Sequence, residues 1–315
     1  MKNMKCVIID SGINPQIKYN IEDKKNFIFK QGKIICNEDA IDYYGHGTAC
    51  YNIINNYYKD ASFTIIKITD DGMSTIFQLE AALEYCLRIN CNIVNISMTL
   101  MGEASNKTER IIKELCVEKN VKIISSYPNH AESGYPASNK YVWGIKGGYF
   151  PSNVWKVDKR KLHSKDLVLN KIPECTDKRN NNFYFFGGTS KAAALASALM
   201  MRQLSKGLNG EELFNNEDAG DFQYNSWDSY KKSNEIIGNR NYRELKNILS
   251  LNNINNNDNL IELGIIKPIN LLNIVSELEK KYKIRITDDV SFSDFLTINN
   301  IANLVKRYGG DIRTS

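Results

Sequence analysis

The sequence predicts an α/β fold: a mainly parallel sheet flanked by helices, followed by a small C-terminal helical bundle. Two observations carry the prediction. Over about the first two hundred residues, short β-branched runs alternate with stretches whose apolar residues recur at three- and four-residue spacing, the pattern of a parallel sheet covered on both faces. From about Gly207 small apolar residues become scarce and Asn, Asp and Lys dominate residues 215–240, after which helical periodicity returns.

Strands are expected at residues 6–9, 63–68, 93–97, 121–125 and 141–145, and helices at 47–56, 75–89, 107–118 and 189–204. In an open sheet of this kind, active sites gather at the carboxyl ends of the strands. Residues 242–249, 269–282 and 298–307 carry helical spacing and are separated by polar loops at 252–259 and 287–294. The 315 residues therefore divide into a domain over residues 1–206, a linker or surface extension over 207–240, and a helical domain over 241–315.

The 41 basic and 36 acidic residues, net +5, gather neither sign into a run, which argues against a nucleic-acid partner. The seven cysteines form an odd set without metal-ligand spacing and read as free thiols, with no metal site and no cofactor. The apolar run at residues 6–9 is too short for a secretory signal and has no small-residue cleavage site after it. No apolar stretch is long enough to span a bilayer. A cytoplasmic protein is expected, without membrane association and without a removable leading segment.

Three residues stand out as chemistry. Asp10 follows the first expected strand, and Ser11 and Gly12 supply a turn that lets its carboxylate face a crevice; alone it reads more readily as a helix or turn cap. His46 lies between Gly45 and Gly47 at a helix start, and only His130 and His163 share its type, so a general base near neutral pH is sought among three residues. A lone histidine otherwise reads as a surface or satisfied core position. Ser190 follows Gly187, Gly188 and Thr189 and opens a helix of small residues. Glycines permit close approach, and a helix start offers N–H groups and positive dipole where an oxyanion would form. The plain alternative is a serine cap on a buried Ala-rich helix.

The stretches Ile8-Ile9-Asp10-Ser11-Gly12, Gly45-His46-Gly47-Thr48 and Gly188-Thr189-Ser190-Lys191-Ala192-Ala193 occur in the order Asp, His, Ser. Over residues 5–204 the chain resembles the subtilisin-like serine peptidases, which implies their three-layer fold and a triad of Asp10, His46 and Ser190. The resemblance also implies that Asn129, after the strand at 121–125, donates its side-chain amide to the oxyanion; without it, Asn129 reads as a turn residue. By the same resemblance, Gly134-Tyr135-Pro136-Ala137 lies beside the specificity pocket. Ser97, Met98 and Thr99 pair with the substrate backbone, and Tyr127, Pro128 and Gly134 complete the substrate-binding set.

The sequence departs from that family at several places. Ala49 stands where a histidine is usual, and Ala194 where a proline is common. Thr99 and Pro128 replace glycines that line the pocket, so a small or specially shaped side chain is expected at the cleavage point. No carboxylate cluster of the kind that binds calcium is seen. The segment from Leu263 to Tyr282 resembles the second helix of acyl carrier proteins. Lys267 and Pro268 occupy the place of the modified Asp-Ser pair, so the segment implies a degenerate carrier that docks on a partner; a generic helical bundle fits equally.

The function expected is a serine endopeptidase that removes a leader or otherwise processes a precursor peptide, acting on a peptide or protein substrate. The alternatives are a peptide ligase or macrocyclase that passes the acyl group to an amine, and a noncatalytic binding protein of the same fold.

Overall fold

The computed structural model describes residues 4–100, 104–129, 131, 133–148, 155–157, 165–177, 183–208, 242–251, 254–261, 263–267, 270–287, 290 and 292–310. These residues fall into two compact units. His130, His163, Pro268 and most of the expected linker lie outside the described residues.

The first unit is built on a nine-stranded sheet, in spatial order β3-β2-β4-β1-β5-β6-β7-β9-β8 among the described residues. In chain order the strands are β1 (Met4–Asp10), β2 (Ile21–Lys30), β3 (Lys33–Asn37), β4 (Ala61–Lys67), β5 (Ile93–Ile96), β6 (Lys122–Ser126), β7 (Trp143–Gly148), β8 (Trp155–Val157) and β9 (Leu167–Asn170). All neighbours run parallel except the two edge pairs, β2 with β3 and β8 with β9. The sheet is therefore mainly parallel, as the sequence predicts.

Helices cover both faces, giving three layers. α1 (His46–Tyr57) and α4 (Gly188–Ser205) pack on each other, α1 against β1 and α4 against β5, β6, β7 and β9. α2 (Ile76–Arg88) and α3 (Asn106–Lys113) pack together, α2 also against β1 and β2. α3 continues as a π-helical turn over Glu114–Glu118, which is why one helix was expected over 107–118. Between the sheet and α2 and α3 lies an apolar core that includes Val7, Ile9, Ile66, Leu79, Leu83, Val94, Ile112 and Ile123. α4 is buried along most of its length from Thr189 to Met201, because alanines let it lie close against four strands.

The central strand β1 is flanked by β4, which follows it later in the chain, and by β5, which follows β4 on the opposite side. The chain thus reverses its direction of sheet growth at β1, and a crevice opens beyond the carboxyl ends of β1 and β5. The register pairs Ile9 with Ile96, so Asp10 and Ser97 emerge side by side into that crevice.

The second unit contains residues 172–176 and 183–186 together with the described residues from 242 onward. It holds the two-stranded pair β10 (Glu174–Asp177) and β11 (Phe183–Phe186), then α5 (Arg243–Ile248), α6 (Leu271–Tyr282), a 3-10 turn at Phe292–Phe295 and α7 (Ile298–Arg307). Leu245, Leu260, Leu271, Leu278, Phe295, Ile301 and Leu304 form its buried centre. The Phe185 ring meets the edge of Phe295, with centroids 6.2 Å apart.

Candidate active site

Asp10 ends β1 and is buried. One carboxylate oxygen accepts the Ser11 N–H at 2.8 Å, and the two oxygens lie 2.8 and 3.0 Å from Nδ1 of His46. His46 opens α1, and Gly47 after it presses on the turn that follows Asp10. A Cβ at Gly47 would stand 2.4 Å from the Gly12 carbonyl oxygen, so only glycine permits this approach.

Burial alone would favour the neutral imidazole, but the Asp10 carboxylate and the Cys50 sulfur beside it together outweigh burial and hold the His46 pKa well above the ordinary histidine value. The pair is set up to stabilise an imidazolium.

A residue that the sequence reading missed holds this pair in place. Asp42 is buried, and one of its oxygens accepts the Ser11 hydroxyl at 2.8 Å and the Gly45 N–H at 2.6 Å. The other accepts both the N–H and the hydroxyl of Thr48, at 2.8 and 2.6 Å. Ser11 in turn accepts the Gly47 N–H at 2.9 Å. One carboxylate therefore ties the residue after Asp10 to the residues on both sides of His46. Its only sequence signal is an aspartate three positions before a glycine at a helix start.

Cys50, one helical turn after His46, lies beneath the pair. Its sulfur is 3.7 Å from an Asp10 oxygen and 3.9 Å from Nδ1 of His46. Among the described residues, Asp10, His46 and Cys50 are the one group of metal-capable side chains whose ligand atoms lie within 4.8 Å of one another. Burial pushes the Cys50 thiol pKa up, which disfavours the thiolate a metal needs.

Ser190 is in the first turn of α4. Its hydroxyl donates to the Ser97 carbonyl at 2.9 Å, and the Ser97 hydroxyl donates to the Ser190 carbonyl at 3.2 Å. Asn95 donates to the Ser97 hydroxyl at 2.9 Å and accepts the Ser197 hydroxyl at 3.0 Å, which pins α4 to the end of β5. Asp10, His46 and Cys50 thus form one group of contacts, and Asn95, Ser97 and Ser190 another, at the adjacent ends of β1 and β5.

Asn129 follows β6, is exposed, and accepts the Thr189 N–H on its side-chain oxygen at 3.0 Å. It lies against Gly188, whose φ is +77°; a Cβ there would stand 2.9 Å from the Asn129 oxygen and 3.3 Å from its nitrogen. The structure thus brings Asp10, His46, Asn129 and Ser190 to the carboxyl ends of β1, β5 and β6.

Of the expected substrate-binding residues, Thr99, Pro128 and Gly134 meet. A Cβ on Gly134 would lie 2.5 Å from the Thr99 methyl and 2.8 Å from Cδ of Pro128. The Thr99 hydroxyl donates to the Ser126 carbonyl at 3.1 Å, and the Leu100 N–H to the Tyr135 carbonyl at 2.9 Å. Ser97 is buried and Met98 packs partly on the core. Tyr127 turns inward: its ring is buried and its hydroxyl donates to the buried Asp166 carboxylate, 3.1 Å from each oxygen. Strand alternation past β6 sends this side chain to the interior, so it does not line the crevice.

Among the described residues no helix is long and apolar enough to cross a membrane. No family model and no curated protein matches the chain. Solved structures do. The prenylagaramide maturation protease PagA is 20% identical, covering 67% of this chain and 81% of that one, with a TM-score of 0.48. A mutant of the protease domain of PatA is 17% identical, covering 67% and 84%, with a TM-score of 0.48. A psychrophilic protease is 17% identical, covering 67% and 80%, with a TM-score of 0.51. At these identities the likeness is one of fold: the chain has the α/β fold of subtilisin-like protease domains.

Proposed function

We propose that this chain is a serine endopeptidase. Ser190 attacks a peptide carbonyl, His46 accepts the hydroxyl proton and returns it to the leaving amine, and Asp10 orients the imidazole and stabilises its charged form. The observation that carries this reading is the 2.8 Å contact between Nδ1 of His46 and Asp10, which leaves Nε2 as the proton acceptor. For the attack, the Ser190 hydroxyl leaves the Ser97 carbonyl and turns about one side-chain bond toward that nitrogen. The side-chain N–H of Asn129 and the backbone N–H of Ser190 stabilise the oxyanion. Water then releases the acyl group.

The substrate backbone runs along residues 97–99 as an added strand, and the side chain at the cleavage point enters the recess bounded by Thr99, Pro128 and Gly134. Those bulkier residues favour a small side chain there. We read the substrate as a precursor peptide processed at one bond. The second unit supports a dedicated role, because it carries a cavity of about 410 Å³ between β10, β11 and α6, with Phe185, Leu272, Val275 and Ile286 in its lining. An apolar segment of the precursor, or of a partner protein, docks there. The free thiols of Cys6, Cys36, Cys50, Cys86, Cys91 and Cys116 support action in a reducing cytoplasm.

The test is mass spectrometry of candidate precursor peptides incubated with the wild type and with Ser190→Ala. Products summing to the substrate plus one water, made by the wild type alone, are expected. Joined or cyclic products lacking that water would replace hydrolysis with ligation.

A further inference from the structure

The approach to His46 carries two exposed aromatic rings on a rigid support. Tyr43 is 59% and Tyr44 44% exposed. The Asp42 network fixes the backbone on one side of them. On the other, Lys67 at the end of β4 is buried, donates to the Ile41 carbonyl at 2.6 Å, pairs with Asp70 at 2.6 Å, and lies 4.9 Å from the centre of the Tyr43 ring.

Tyr44 stacks beside His46, with ring centroids 6.1 Å apart and planes 21° from parallel. Its outer edge is bounded by Gly72, where a Cβ would lie 3.3 Å from the ring. Gly72 is held in turn by its N–H bond to the Thr69 hydroxyl at 3.0 Å. Met73, which follows, is 76% exposed. Large apolar groups thus gather in the open beside an imidazole, a place where a soluble protein normally presents polar side chains.

We infer that Tyr44 determines specificity: its ring is a platform for an apolar or aromatic side chain on the residue that precedes the scissile one. This deepens the peptidase reading and rests on it. A peptide extended along residues 97–99 sends successive side chains to opposite faces. With one side chain in the recess of Thr99, Pro128 and Gly134, its predecessor turns toward the imidazole and the ring stacked next to it. Burying a large apolar side chain there, with ring contact in addition, accounts for a preference of about tenfold over alanine.

The test uses peptidyl phosphonates, which react with an activated serine, carrying Ala, Glu, Leu, Phe or Trp at the position before the phosphonate residue. Inactivation rates are measured for the wild type, Tyr44→Ala and Tyr44→Phe. The wild type is expected to prefer Leu, Phe or Trp over Ala by about tenfold. Tyr44→Phe keeps the ratio, and Tyr44→Ala reduces it to within about twofold of unity. The readout is the ratio, because a ring that merely braced His46 would slow every probe by one common factor. A wild type without apolar preference, or a Tyr44→Ala variant with the ratio unchanged, would overturn the inference. An alkyl fluorophosphonate separates the two levels of the argument. If it fails to label folded wild type at Ser190, the peptidase reading falls and the platform with it; if it labels while the ratio is flat, the platform alone falls.

Discussion

Nδ1 of His46 faces the whole carboxylate of Asp10, at 2.8 Å from one oxygen and 3.0 Å from the other. Three consequences of this site's geometry, and one of the recess beside it, can be measured.

The first is a pH dependence. A general base acts when neutral, and the Asp10 charge, together with Cys50, outweighs burial and holds the His46 pKa above its ordinary value. kcat/KM should therefore rise with pH through a midpoint above the ordinary histidine range of about 6.5. Asp10→Asn removes the charge, so the midpoint should move down, and turnover should fall by a factor on the order of 10⁴. A pH–rate profile of both proteins checks this; a midpoint unmoved by Asp10→Asn would contradict it.

The second concerns Asp42. Removing it orphans four buried donors, those of Ser11, Gly45 and Thr48. Asp42→Ala should cost about 3 kcal/mol of stability, and turnover should drop because both ends of the Asp10–His46 contact loosen. Denaturant unfolding and peptide turnover measured together would show it. Full stability in the variant would mean that the network contributes nothing.

The third is a steric test of the oxyanion site. Gly188→Ala forces a methyl onto the Asn129 amide at a left-handed backbone position. Turnover should fall on the order of hundredfold, close to the loss from Asn129→Ala, and the double variant should lose little more than either single one. Losses that multiply in the double variant would show that the methyl at Gly188 does not act through Asn129, and full turnover in Asn129→Ala would place Asn129 outside the reaction.

The fourth concerns the recess. Thr99→Gly removes the methyl that abuts Gly134 and deepens the space beside Pro128. Cleavage after large side chains should improve by about tenfold relative to small ones, in line with one or two added methylenes of room. Competition between paired peptides in one digest reads the ratio directly, and an unchanged ratio would show that this recess does not hold the side chain.

Much of the site was legible because its chemistry sits at element ends marked by glycine: Asp10 before Gly12, His46 between Gly45 and Gly47, Ser190 after Gly188. Asp42 was not legible, since its work is to accept hydrogen bonds from residues that only the fold gathers around it. Tyr127 misled for the opposite reason. The family resemblance put it at the site, while in the fold its hydroxyl turns onto Asp166. The central strands β1, β4, β5 and β6 announced themselves as buried β-branched runs. The edge strands β2 and β3 did not, because β2 buries only Asn26 and Phe27 of its ten residues and β3 buries none. β9 is fully buried but four residues long, too short for any period to show.

Peptide cleavage at this site requires that Ser190 be a nucleophile activated by His46. Intact-mass analysis of folded protein treated with an alkyl fluorophosphonate near neutral pH tests this most directly. One adduct, mapped to Ser190 and missing from both Ser190→Ala and His46→Ala, is the expected result. An unlabelled wild type, or equal labelling of Ser190→Ala, would contradict it.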